Sequence, residues 1–155
     1  MNYKRLIISL ALPQLAGAAG SLFTAPSIPI WYAALEKPSF SPPNWIFAPV
    51  WIILFLLMGI SLYLVWSKGL ENRKVKTAVL IFSGQLGLNI IWSLLFFGLQ
   101  SPFYAFIEII ILWLAILLTI ISFYKISKIV AYLLLPYILW VSFAGFLNYF
   151  IWKLN

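Results

Sequence analysis

A chain of 155 residues that is 65% hydrophobic and only 8% charged has too little polar surface to coat a water-soluble globule, so it reads as a membrane protein. Its net charge of +7 does not point to nucleic acid, because the basic residues are scattered over the connections between apolar runs instead of lining one face. With no Cys and no His, disulfides, thiol catalysis, Cys/His zinc sites and the common His or Cys ligation of haem iron are excluded, and no phosphate-binding Gly-rich loop, catalytic triad or carboxylate pair takes their place.

Five apolar runs follow one another, at residues 5–24, 44–67, 77–98, 101–123 and 129–152, each near the ~20 residues that a helix needs to cross the hydrocarbon. They lack strand-like alternation, and unpaired backbone groups are not tolerated in lipid, so the expected fold is an all-α integral membrane protein, a bundle of five transmembrane helices. In the first run, Lys4 and Arg5 precede apolar sequence and Ala16-Gly17-Ala18-Ala19-Gly20 offers small residues of the kind found at a leader cleavage site. The same residues suit close helix packing, since Ala16 with Gly20 and Gly17 with Ser21 are four apart, and we read the run as a membrane helix. Threading five helices puts Lys4, Arg5, Lys68, Arg73, Lys74, Lys76, Lys125 and Lys128 on one side, against Lys37 and Lys153 on the other. That bias places the N-terminus in the cytoplasm, and the C-terminus and the 25–43 connection outside it.

The 25–43 connection leads into Trp31-Tyr32-Ala33-Ala34-Leu35-Glu36-Lys37-Pro38-Ser39-Phe40-Ser41-Pro42-Pro43-Asn44-Trp45, a stretch too aromatic and proline-rich for a simple solvated turn. It is built to cover something apolar. Ser41 is the expected N-cap of the second helix, with Pro42 and Pro43 in its first turn and Pro49 placed to bend it. Trp51 then falls about two turns in, with Phe55 a turn beyond. On the third helix Gln85, Asn89 and Trp92 share a face, which suits either hydrogen bonding between helices or a cavity wall. Ser83 and Gly87, four apart on the same helix, suit close contact within the bundle or across a homodimer. Glu108 is the one carboxylate expected within the bilayer, where it either bonds another helix or handles a proton or ligand. Trp31, Trp66, Trp113 and Trp152 fit an interfacial belt or a lipid-facing surface. The last run carries Pro136, then Trp140 and Ala144 one turn apart, leaving a slot beside the indole for a ligand or a neighbouring helix. Leu147, Tyr149 and Lys153 satisfy the L-x-Y-x3-K sterol pattern, a weak motif.

The block from Trp31 to Trp51 resembles the signature of the TspO/MBR family, the translocator or peripheral benzodiazepine receptor proteins. Gln85 to Trp92 with Phe96-Phe97-Gly98, and Leu135 to Ala144 with Leu147-Asn148-Tyr149, resemble that family's third and fifth helices. The resemblance implies a lidded pocket for porphyrins and similar flat hydrophobic ligands, lined by Tyr32, Pro42, Trp51, Phe55, Asn89, Trp92, Trp140 and Ala144. It implies no required cofactor, the tetrapyrrole entering as ligand. It moderately favours a homodimer. It also raises light-dependent porphyrin breakdown through the tryptophans, with Trp51 and Trp140 as the photochemical pair. A transporter of the same molecules is the alternative, though neither an inverted repeat nor a run of intramembrane charges recommends one.

Overall fold

Asn2 starts the first helix: its side chain accepts from the Arg5 amide at 3.1 Å, meeting one of the four N–H groups that a helix start leaves free. The computed structural model describes residues 1–155. Helix α1 runs over Tyr3–Ser27 and passes without a break into a π-helical turn at Ile28–Tyr32, so the span reaches Tyr32 where sequence placed its end near residue 24. Pro26 and Pro29 lack amide protons, and a proline inside a helix costs an i→i−4 bond. Here the backbone shifts register, with the Ala33 amide donating back to the Ile28 carbonyl, and the chain continues instead of stopping.

The second span starts at Asn44 as expected, but its cap and first turn differ from expectation. Ser41 caps nothing; Pro43 is extended (φ −58°, ψ 146°), and a 3₁₀ turn at Asn44–Ile46 feeds helix α2, Phe47–Trp66. A residue that precedes proline is pushed out of the helical region, so Ser41 and Pro42 remain outside the helix. Pro49 sits in the first turn of α2, where its missing amide has no helical partner to lose. Gly69, at φ +98°, turns the chain, and Asn72 caps α3, Arg73–Ser93, accepting from the Lys74 amide at 2.9 Å. A second π-helical turn, Leu94–Gly98, ends the third span. Ser101 caps α4, Pro102–Tyr124, with Pro102 at the first position. The fifth span, expected as one helix, is a short α5, Lys128–Tyr132, and a long α6, Leu135–Leu154, because Pro136 has no amide to offer the Tyr132 carbonyl.

The molecule is an all-α integral membrane protein with five spans: Tyr3–Tyr32, Asn44–Trp66, Arg73–Gly98, Pro102–Tyr124 and Lys128–Leu154. Large apolar side chains such as Ile7, Leu15, Leu22, Ile53, Leu118 and Phe146 stand exposed around the bundle, a surface suited to contact with the bilayer. Inside, Met58, Leu62 and Val65 of α2 pack with Val75, Ala78 and Phe82 of α3, Ile116 and Phe123 of α4, and Tyr137 and Val141 of α6. This core fills the half of the bundle nearest the basic connections. Two glycines permit close approach of α1 and α2: a Cβ on Gly59 would lie 2.8 Å from the Ser9 carbonyl oxygen, and one on Gly17 would lie 2.6 Å from Cε2 of Phe55. The small residues of α1 thus serve helix packing.

Candidate functional site

At the other end of the bundle the helices diverge around a cavity of about 510 Å³, within the ~300–1,000 Å³ usual for ligand sites. Its walls come from four helices and both π-helical turns. Trp51, Phe55 and Phe47 stand on α2, Asn89 and Trp92 on α3, Phe96 and Phe97 on the turn after it, and Trp140, Ala144, Leu147, Asn148 and Ile151 on α6. Tyr32 comes from the first π-helical turn, and Gly17, Gly20 and Ser21 from α1. The register shifts in spans one and three matter here, because they carry Tyr32 and the Phe96–Phe97 pair to the cavity. Trp92 stacks on Phe96 with centroids 5.1 Å apart, and Trp51 stacks on Phe55 at 5.4 Å. Trp140 meets Phe47 edge-on at 6.2 Å.

Polar atoms on these walls are mostly spoken for. Asn89 Nδ2 donates to the Tyr137 hydroxyl at 2.8 Å, and that hydroxyl donates to Gln85 Oε1 at 2.6 Å, a buried relay beneath the cavity floor. Gln85 in turn reaches the Met58 sulfur at 3.9 Å. Trp92 Nε1 donates to Asn148 Oδ1 at 3.0 Å, and Asn148 Nδ2 donates to the Pro102 carbonyl at 2.8 Å, tying three helices together. Of the alternatives for the third-helix face, Gln85 is therefore structural, while Asn89 both bonds and lines the cavity. Two buried groups on cavity residues have no partner: the Trp140 indole Nε1 and the Tyr32 hydroxyl. An unmet buried donor costs ~1–3 kcal/mol, so the Trp140 N–H is available to an acceptor entering from the cavity.

Seven of the eight residues singled out from sequence, Tyr32, Trp51, Phe55, Asn89, Trp92, Trp140 and Ala144, meet in this one cavity, whereas Pro42 does not border it. Sequence reading missed Phe47, Phe97, Asn148 and the small α1 residues as wall. The first three carried no signal beyond their blocks, and the last read only as packing. The sterol-pattern residues divide: Leu147 is buried and faces the cavity, while Tyr149 packs on Phe106 at 5.3 Å and Lys153 lies over the Trp152 ring at 4.4 Å. Trp113 is not a belt residue, because its indole donates to Ser142 Oγ at 2.8 Å within the packed bundle. Trp31 likewise packs inward, edge-on to Phe96 at 5.5 Å, whereas Trp66 sits at the basic end under the Arg5 guanidinium. Glu108 is buried away from the cavity, with neither carboxylate oxygen hydrogen-bonded.

Segment 33–43 is fastened to α6. Phe40 rests edge-on to Phe143 and Phe150, at 6.1 and 5.6 Å. Asn155 accepts from the Glu36 amide at 3.1 Å and donates to the Glu36 carbonyl at 2.9 Å. Lys37 Nζ lies 4.8 Å above the Tyr32 ring. The cavity is open along the seam of α1 and α2, where Ala18, Ser21 and Ala25 of α1 and Ala48 and Ile52 of α2 line it and are exposed. Gln14 Nε2 closes the lower edge of that gap by donating to the Ile52 carbonyl at 3.1 Å.

Comparison with known proteins gives the same answer from end to end of the chain. The sequence profile of the TspO/MBR family matches residues 9–153. The chain is 48% identical to the tryptophan-rich protein TspO of Archaeoglobus fulgidus, over 100% of this chain and 99% of that protein. It is 44% identical to the protein of the same name in Chlorobaculum tepidum, over 97% and 95%. It is 37% identical to the translocator protein of Homo sapiens, over 92% and 85%.

Proposed function

The chain belongs to the TspO/MBR family, and we propose that its cavity is a receptor site for flat hydrophobic molecules, tetrapyrroles above all. The cavity faces away from the cytoplasm under a lid formed by segment 33–43. One observation carries the reading: three indoles, Trp51, Trp92 and Trp140, and the rings of Phe47, Phe96 and Tyr32 wall a single space. Such walls hold a planar macrocycle by burying and stacking on its faces. The unpartnered Trp140 N–H supplies a donor for a peripheral carboxylate or carbonyl. The packed core beneath, with Met58 and Val65 fully buried, favours binding over carriage through the bundle.

Because the chain holds no His or Cys to ligate iron, the macrocycle is bound by its faces and not by its metal. Titration of the purified protein with free-base protoporphyrin and with haem tests this. The free base should bind at least as tightly as haem. Much tighter haem binding with an axially ligated spectrum overturns the account of the pocket.

Trp51 and Trp140 on one cavity favour a second reading, light-dependent breakdown of the bound porphyrin. An excited porphyrin takes one electron from an adjacent indole, giving a porphyrin radical anion and an indole radical cation. Dioxygen, as co-substrate, adds to a ring carbon of the radical anion, the adduct returns one electron to the indole radical cation, and both oxygen atoms remain in the opened macrocycle.

A further inference from the structure

A second hollow, of about 470 Å³, lies outside the bundle between α1 and α3, in the half filled by the packed core. Ile8, Leu12 and Leu15 form one bank, Leu86, Gly87 and Ile90 the other, and Trp66 closes the end nearest the basic connections. On α3 the groove extends from Val79 to Ile90, roughly 16 Å at 1.5 Å rise per residue, about half of a ~30 Å hydrocarbon core. It therefore has the reach of one leaflet. A Cβ added at Gly87 would meet nothing within 4 Å, so this bank is open.

The basic end of the groove is charged from both sides. Arg5 stands one turn before Ile8 on the α1 bank, and its guanidinium is held over the Trp66 ring at 5.6 Å. Lys76 stands one turn before Val79 on the α3 bank and is exposed. The two helices run in parallel, and a Cβ on Gly20 would approach Ser93 Oγ at 3.0 Å. Counting back from that contact brings Arg5 level with Ala78, about 3 Å of rise from Lys76. Of the three carboxylates in the chain only Glu71 lies at this end, and its carboxylate group folds over Gly69. An apolar slot one leaflet deep, ending at headgroup depth between two cations, is complementary to a single lipid molecule. We propose that this groove holds an acyl chain of an anionic phospholipid whose phosphate lies between Arg5 and Lys76.

A second copy of the chain is the rival occupant, as Ser83 and Gly87 sit on this surface. A second copy would add its own Arg5 and Lys76 at the same membrane depth with only Glu71 to offset them, whereas a phosphate between the two cations neutralises them directly. The test is native mass spectrometry of the full chain released from mixed micelles of dioleoyl phosphatidylglycerol and dioleoyl phosphatidylcholine. The parent should retain one phosphatidylglycerol in preference to phosphatidylcholine. The pair R5Q/K76Q should lose that preference by roughly twenty-five-fold, about fivefold for each cation. The variant G87F, which fills the groove from its open bank, should retain neither lipid while keeping its porphyrin affinity. The pair K125Q/K128Q, at the same end but off the groove, should behave as the parent. The proposal fails if R5Q/K76Q keeps the preference, or if K125Q/K128Q loses it equally, which would mean diffuse attraction only. It fails as well if G87F leaves lipid retention unchanged but converts a dimer to a monomer.

Discussion

Tyr137→Phe removes a single oxygen from a polar group deep inside the bundle. The hydroxyl is at the centre of a relay, accepting from Asn89 at 2.8 Å and donating to Gln85 at 2.6 Å, with Tyr137 only 2% and Gln85 1% exposed. Two bonds vanish together at a site closed to solvent. In a water-soluble core two orphaned groups would cost ~2–6 kcal/mol. Between membrane helices single polar contacts average ~0.6 kcal/mol and reach ~1.7, because the helices separated in lipid also find partners. The second scale governs here, giving a loss of about 1–2 kcal/mol with the ring packing unchanged. Detergent-driven unfolding of the purified protein, monitored by helix content, measures it. The double variant Q85L/Y137F removes the stranded acceptor on Gln85 and should recover about half of the loss. Asn89, at the cavity wall, can turn its amide to the cavity. If Tyr137→Phe lies within ~0.5 kcal/mol of the parent, or the double variant is the sum of two independent losses, the relay is not a coupled unit.

Three further outcomes are expected. A cysteine introduced at Ser39 in this cysteine-free chain should react with an impermeant thiol reagent outside intact cells while one at Asn72 should not, and reversed labelling refutes the inferred orientation. Asn155→Ala removes both bonds to Glu36 at an exposed site, so stopped-flow release of a bound porphyrin should quicken a few-fold with fold stability unchanged, and an unaltered rate shows that these two bonds do not restrain ligand release. Trp51→Phe and Trp140→Phe should each weaken porphyrin binding by no more than ~1 kcal/mol while sharply slowing light-driven bleaching. Trp66→Phe, at the basic end, should bleach porphyrin like the parent, and equal loss in all three variants, or in none, removes the paired-tryptophan mechanism.

The five spans were legible because length and apolarity alone define them, and basic residues on the short connections define a sidedness. The path of the backbone around several prolines was not. The sequence places the end of the first run near residue 24, yet a π-helical turn carries the backbone past Pro26 and Pro29 to Tyr32, where Phe96 and Phe97, more than sixty residues away, pack against Trp31 and Tyr32. Ser41 read as a cap because the sequence Ser-Pro-Pro has the right composition, while the order of the prolines forbids the conformation. Gln85 and Asn89 could be placed on one face by spacing, but their shared partner, Tyr137, is contributed by α6 and left no trace near them in the chain. Pro42 was carried in with its motif and lies off the cavity, which shows that a motif marks a region more reliably than it marks a wall.

The sideways opening between α1 and α2 changes what a binding constant for this protein means. A ligand that enters past Ala18, Ala25 and Ile52 is drawn from solution in the hydrocarbon, not from the aqueous phase. Its working concentration is the bulk value multiplied by a partition coefficient, and it is diluted whenever more lipid or detergent is added. Apparent affinities quoted per litre of buffer should therefore drift with the lipid-to-protein ratio, while the same data expressed as mole fraction in the bilayer should collapse onto one isotherm.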